Sequence, residues 1–363
     1  MLKTFIWKLG PLLALFAILL LFWLADHSWG TGNFASARNI RVMMGSAALI
    51  AVPAIGMTII IISGGIDLSS GTALTLCGTV LALMLKHAPT AAPETIFSDG
   101  SMQYTLWMCL ALLTMTLTGT GCGLMNGTLI SATKVVPFIV TLGTMTIYLG
   151  IGQILADEST VYAPTENVPD WLDLCYTGIK AEKYLIPPIT LWGWDLKIPS
   201  SVVITIILAS AAGVLMRYTV FGRNVFAIGS SESTARLCGI NAPLTIIMVY
   251  TLAGFFVAIG GLLYYADVKN GNPGDGSGKE LEIIAAVVLG GGSLNGGRGS
   301  IIGTIIGAMI ITAIRSGCTL LSIPNTYTLI IIGCIIIVAV IVDQLRHGSP
   351  EWFFRLISKK LRH

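Results

Sequence analysis

Charge is what this chain lacks most. Asp, Glu, Lys and Arg make up 11% of its 363 residues, against roughly a quarter in an ordinary soluble domain. A globular protein with a charged, solvated skin is thereby excluded. The net charge is +3 and dispersed, so no basic stripe offers itself to nucleic acid. Catalytic sets are missing too. His27, His87, His347 and His363 are scattered, and neither an H-E-x-x-H helix nor a pair of intramembrane aspartates stands among the apolar runs. No catalytic centre, metal site or bound cofactor is expected. The seven cysteines include no C-x-x-C pair. Cys77, Cys109, Cys122, Cys318 and Cys334 fall inside apolar stretches, where they read as small core fillers. A phosphate-loop look-alike, GDGSGKE, fails because Pro273 replaces the first glycine and Glu280 the hydroxyl residue after the lysine.

Apolar residues, in contrast, make up 54% of the chain. They gather into stretches near 9–25, 42–62, 68–86, 104–131, 135–156, 198–216, 244–266, 281–297, 299–317 and 326–342. A helix needs about 20 apolar residues to cross a bilayer, and the alternation of a lipid-facing strand is absent. The expectation is an all-α polytopic membrane protein with about ten transmembrane helices in one domain covering 1–363, its eighth and ninth spans individually short. Lys3 and Lys8 precede the first span, and Arg355, Lys359, Lys360 and Arg362 follow the last, which puts both termini in the cytoplasm. The segment 157–197 is then an external loop, either a docking surface or a connector, and 217–243 is cytoplasmic. The A-x-A triplet Ala35-Ser36-Ala37 lies too far past Leu24 for a cleaved signal peptide, so the first helix is read as retained.

Four polar features interrupt this pattern. In SGGIDLSSG, Gly64 and Gly65 are expected to turn the chain, and Asp67 to accept hydrogen bonds from the free N–H groups that open the next helix; a gate or a contact to a partner is the competing role, since acids at membrane depth often mark function. In the second, Ser231 caps a short helix with Glu232 in its first turn, Ala235, Arg236 and Leu237 in its body and Gly239 at its end. Gly299, Gly303 and Gly307 recur every fourth residue, a spacing that lets helix backbones approach in lipid. Finally, Asn126, Thr141, Thr144, Tyr148 and Gln153 place hydroxyls and amides within spans. Such groups suit a path for a neutral polyol, and equally suit hydrogen bonds between neighbouring helices.

Five stretches in this order, GMTIIIISGGIDLSSG (56–71), VPFIVTLGTMTIYLG (136–150), FGRNVFAIGSSESTARLCGINAP (221–243), YTLAGFFVAIGGLL (250–263) and IAAVVLGGGSLNGGRGSIIGTIIGA (284–308), together resemble the permease subunits of bacterial sugar ATP-binding-cassette importers, the ribose, xylose and galactose or galactofuranose group. The resemblance implies a bacterial inner-membrane protein that passes a neutral monosaccharide inward. Its implied partners are an ATP-binding subunit with nucleotide-binding domains, a periplasmic sugar-binding protein, a second permease subunit and membrane lipid. It also implies that 221–243 is the coupling element, with Glu232, Ala235, Arg236, Leu237 and Gly239 at the ATPase interface. A stand-alone secondary sugar carrier is the alternative.

Overall fold

The computed structural model describes residues 2–30, 32–89, 102–175, 189–191, 194–196 and 198–347; Arg355, Lys359, Lys360 and Arg362 lie outside them. Ten apolar segments are helical: α1 (Leu2–Trp29), α2 (Ala37–Ile62), α3 (Ser70–Lys86), α4 (Met102–Thr133), α5 (Pro137–Leu155), α7 (Ser200–Tyr218), α10 (Ala242–Val268), α11 (Lys279–Leu289), α12 (Ile301–Leu320) and α13 (Asn325–His347). Among the described residues, seven are long and apolar enough to cross a bilayer unaided; α3, α11 and the apolar part of α13 are shorter. Between α5 and α7 lie a short helix, α6 (Asp170–Cys175), and a two-residue-linked hairpin of β1 (Ile189–Leu191) and β2 (Trp194–Leu196). Two further short helices, α8 (Val220–Ser230) and α9 (Glu232–Leu237), join α7 to α10. The face carrying them is called inner below.

Three of the long helices, α2, α10 and α12, start where the sequence supplies an acceptor for the free N–H groups of a first turn. Ser36 Oγ accepts from Asn39 N, Asn241 Oδ1 from Leu244 N, and Ser300 Oγ from Gly303 N. Helix α2 is the axis of the bundle, its inner two-thirds almost wholly buried against α7, α10, α11 and α12. The faces of α1, α4 and α5 instead expose Leu, Ile and Phe, as lipid-facing helices do. Small residues make the closest seams. Gly119, Gly123 and Gly127 on α4 lie against the α10 backbone, where a Cβ on Gly123 would overlap the Tyr250 carbonyl oxygen. Such seams replace hydrophobic burial, which drives little association between helices in lipid.

Three departures from continuous helix position the site. The segment 281–297, expected as one span, is helical only to Leu289, and Gly291, Gly296 and Gly297 all have positive φ, a conformation that favours glycine. Helix α11 has 11 residues, so at 1.5 Å per residue it reaches about 16 Å, half a bilayer. The turn-rich stretch before it is packed into the bundle. There Gly271 pairs with Val161, and Pro273–Gly276 forms a 3-10 turn against α3, with Thr75 Oγ1 donating to the Pro273 carbonyl at 3.1 Å. The third departure is the turn between Ile62 and Ser70.

Candidate functional site

The Ile62–Ser70 turn lies at membrane depth. Its partner Asn126 stands seven residues from the inner end of α4, and Tyr148 eleven from that of α5, about 10 and 16 Å up the helices. Gly64 makes the bend at φ +87°, and a Cβ on Gly65 would press on the Tyr250 hydroxyl at 2.5 Å. Asp67 is buried. Its Oδ1 accepts from Ser69 N at 2.8 Å and Ser69 Oγ at 2.6 Å, the i to i+2 pattern of an Asx-turn. Ser69 itself occupies the N-cap position of α3 without a side-chain cap bond, so Asp67 shapes the approach to the helix from two residues ahead.

A web of uncharged groups closes around this turn. Asn126 Nδ2 donates to Ser69 Oγ at 2.8 Å and reaches Asp67 Oδ1 at 3.5 Å. Tyr148 Oη donates to the Cys122 carbonyl at 2.8 Å or to Asn126 Oδ1 at 3.1 Å. Leu68 N donates to Thr141 Oγ1 at 3.2 Å, and Tyr250 Oη reaches the Ile66 carbonyl at 3.5 Å. Asn126, Thr141, Thr144 and Tyr148 are all buried, whereas Gln153 is exposed on α5. Asn126 lies on α4 and Thr141, Thr144 and Tyr148 on α5, as expected; that Asn126 and Thr141 bond to a turn 57 and 73 residues away was not visible in the sequence.

At the inner face two glycine turns meet the end of α8. Gly297 N donates to the Ile62 carbonyl at 2.8 Å. Gly229, near the end of α8, sits so close that a Cβ would overlap that same carbonyl oxygen, and one on Gly296 would press on the Gly229 carbonyl oxygen and the Gly64 backbone. Helix α9 follows α8 directly. Ser231 Oγ accepts from Thr234 N at 3.3 Å. Gly239 closes the helix at φ +81°, with Ile240 N bonded to the Ala235 carbonyl and Gly239 N to that of Arg236, a Schellman ending. Ala235 is buried against Ile228 and Ala242. Glu232 and Arg236 form an exposed ion pair at 2.6 Å, and Leu237 is 89% exposed.

Gly303 and Gly307 pack α12 on α11: a Cβ on Gly303 would overlap the Gly290 carbonyl oxygen, and one on Gly307 that of Ala286. Gly299 lies ahead of α12 and meets Ile62 instead. Near the opposite end of α11, Arg315 of α12 pairs with Glu282. The sequence alone does not bring these two residues together. The signal was the short eighth stretch, because the end of a half-length helix lies at mid-membrane.

Multiple apolar helices, two of them entered through packed non-helical turns, are the architecture of a polytopic membrane protein, in which irregular backbone at depth is tolerated where it is buried in protein or lines a cavity. The sequence pattern of the family described as branched-chain amino acid transport system / permease component matches residues 39–340, and the chain belongs to that family. It is 32% identical to the ribose import permease protein of Bacillus subtilis (strain 168), over 93% of this chain and 92% of that protein. It is 31% identical to the galactose/methyl galactoside import permease protein of Escherichia coli (strain K12), over 92% and 94%, and 34% identical to that organism's probable ABC transporter permease protein, over 86% and 83%. No solved structure matches the chain. It is thus a multi-pass inner-membrane permease subunit of an ATP-binding-cassette importer, a transport component rather than an enzyme, and the stand-alone carrier is set aside.

Proposed function

We propose that this permease carries a neutral monosaccharide delivered by a periplasmic sugar-binding protein, with ATP hydrolysed on a partner subunit that grips α9. The observation that carries the sugar reading is similarity along nine-tenths of the chain to permeases named for ribose and galactose. The grip on α9 is supported by its shape: a buried Ala235 anchors it, while Glu232, Arg236 and Leu237 face outward. These three side chains stand clear of the chain's own packing, so a partner can reach them without displacing anything. A second permease subunit, identical or related, completes the pore. Both termini are cytoplasmic, on the same side as the ATPase.

Closure of the ATPase moves α9, and α8 carries the displacement to the junction of Gly64, Gly229 and Gly296. The turns ahead of α3 and α11 act as hinges that let the bundle open to one side at a time. Asn126, Thr141, Thr144 and Tyr148 border the inner hinge and meet the path when it opens, with Gln153 further out on α5. The test is uptake by vesicles holding the permease with its ATPase and binding protein. ATP-dependent accumulation of ribose or galactose, lost on Leu237→Asp without loss of the permease itself, is expected. Accumulation of leucine and not of either sugar overturns the substrate class.

A further inference from the structure

The turn ahead of α11 differs from its counterpart ahead of α3 in what it leaves open. Beside it lies a cavity of about 170 Å³ walled by α2, α3, α10, α11 and α12, far larger than the roughly 15 Å³ that one water requires. Its polar lining comes from Ser46, Tyr264, Asp267, Lys279, Glu282, Thr312 and Arg315, beside the apolar side chains of Leu49, Ile50 and Leu74. Arg315 stands fourteen residues along α12, about 21 Å from its inner end, so the cavity belongs to the outer half of the bundle.

From this we infer that the cavity is the outer binding station for the transported monosaccharide, an inference that rests on the sugar reading above. Two acids and two cations line it, so their formal charges cancel. A lone ion would unbalance the site, whereas a neutral polyol, each hydroxyl both donor and acceptor, finds partners of both kinds. The pair formed by Glu282 and the Arg315 Nη2 group leaves Arg315 Nε buried with no hydrogen-bond partner, a donor awaiting an acceptor. Thr312 Oγ1 donates within its own helix to Ala308 or Met309, which leaves its lone pairs free to accept. The Lys279 amine stands 4.3 Å from the Tyr264 ring centre, and the Tyr264 hydroxyl donates to Asp275, so both are held in place before any solute arrives. Because Lys279 and Glu282 ride on the half-helix α11, a hinge movement at Pro273–Gly278 changes the cavity directly.

The test uses the complete importer in vesicles, with Thr312→Cys and a membrane-impermeant methanethiosulfonate added outside. The unsubstituted permease serves as control; in its external segment the Cys175 thiol is pushed up to about 11 by burial, and so reacts little. The expected result is modification of the introduced thiol that stops sugar uptake, slowed about five-fold or more by saturating transported sugar, a change of roughly 1 kcal/mol. Should Thr312→Cys fail to insert, Glu282→Gln with Arg315→Gln removes the pair without changing net charge; uptake should fall about ten-fold from the lost charged hydrogen bonds, with ATPase stimulation by the loaded binding protein retained. Vesicles that take up sugar but show no modification, no protection, or full uptake by the double variant overturn the site alone. Protection by leucine, with leucine taken up in place of sugar, overturns both the site's assigned ligand and the substrate class.

Discussion

The two non-helical turns at membrane depth solve one problem in opposite ways. Ahead of α3, the turn from Gly64 to Ser69 is held by Asn126, Thr141 and Tyr250, with Tyr148 behind Asn126, and Asp67 satisfies local donors. Ahead of α11, the turn is bordered by charged residues and a cavity. An interrupted helix must find partners for its freed backbone groups, since lipid offers none. The first turn finds them in Asp67, Thr141 and Tyr250 and leaves no room; the second leaves room that a solute can enter. One is built as a hinge, the other as a hinge beside a binding surface.

That comparison is broken most severely at the seam between α11 and α12. Gly307 packs on the Ala286 carbonyl of α11, so Gly307→Leu drives a side chain into backbone and should prevent assembly, a loss above about 4 kcal/mol. Gly303→Leu should act likewise through Gly290. Size-exclusion chromatography of the detergent-solubilised permease checks both, and a monodisperse, active variant would show that the seam is looser than drawn. Next in size is Asp67→Ala, which strips buried Ser69 of its acceptor at a cost of about 1–3 kcal/mol for each unsatisfied group. Asp67→Asn keeps an oxygen for the Ser69 N–H and should lose far less. Thermal unfolding measures the difference. A stable Asp67→Ala that hydrolyses ATP without uptake would turn the carboxylate from a scaffold into a gate.

A smaller effect on stability, with a larger one on coupling, is expected at α9. The Glu232–Arg236 pair is about half exposed on both sides, and such i to i+4 pairs contribute roughly 0.3–0.5 kcal/mol. Replacing both by alanine should leave the melting temperature nearly unchanged while separating ATP hydrolysis from uptake. Normal coupling would remove α9 from the line between the ATPase and the hinges.

How far the sequence disclosed this arrangement depends on what kind of constraint wrote it. A helix that crosses lipid must be apolar along its length, so the ten segments stood out. Helix α9 was legible too, because Ser231 and Gly239 are local signals of a start and a stop. The outer hinge was not. Residues 269–278 are rich in Asn and Gly, a composition that reads as a surface loop at any depth, and it takes long-range contacts such as the bridge from Val161 to Gly271 and the bond from Thr75 to Pro273 to place them inside. The Glu282–Arg315 pair spans 33 positions, beyond any helical spacing. Likewise the repeat of Gly119, Gly123 and Gly127 could suggest a close seam, but not that α10 fills it.

The finest distinction concerns two tyrosines on the inner hinge. Both hydroxyls are buried with their rings, yet they grip unequally. Tyr148 Oη lies 2.8 Å from the Cys122 carbonyl and 3.1 Å from Asn126 Oδ1, and so ties α5 to α4. Tyr250 Oη reaches the Ile66 carbonyl at only 3.5 Å, the weak end of hydrogen bonding. Tyr148→Phe should therefore lower stability by about 1 kcal/mol, the net worth of a good bond, and Tyr250→Phe by no more than a few tenths on the same scale. If denaturation experiments reverse that order, the Ile66 carbonyl depends on Tyr250 more than its geometry suggests, and the hinge is held from α10 rather than from α4 and α5.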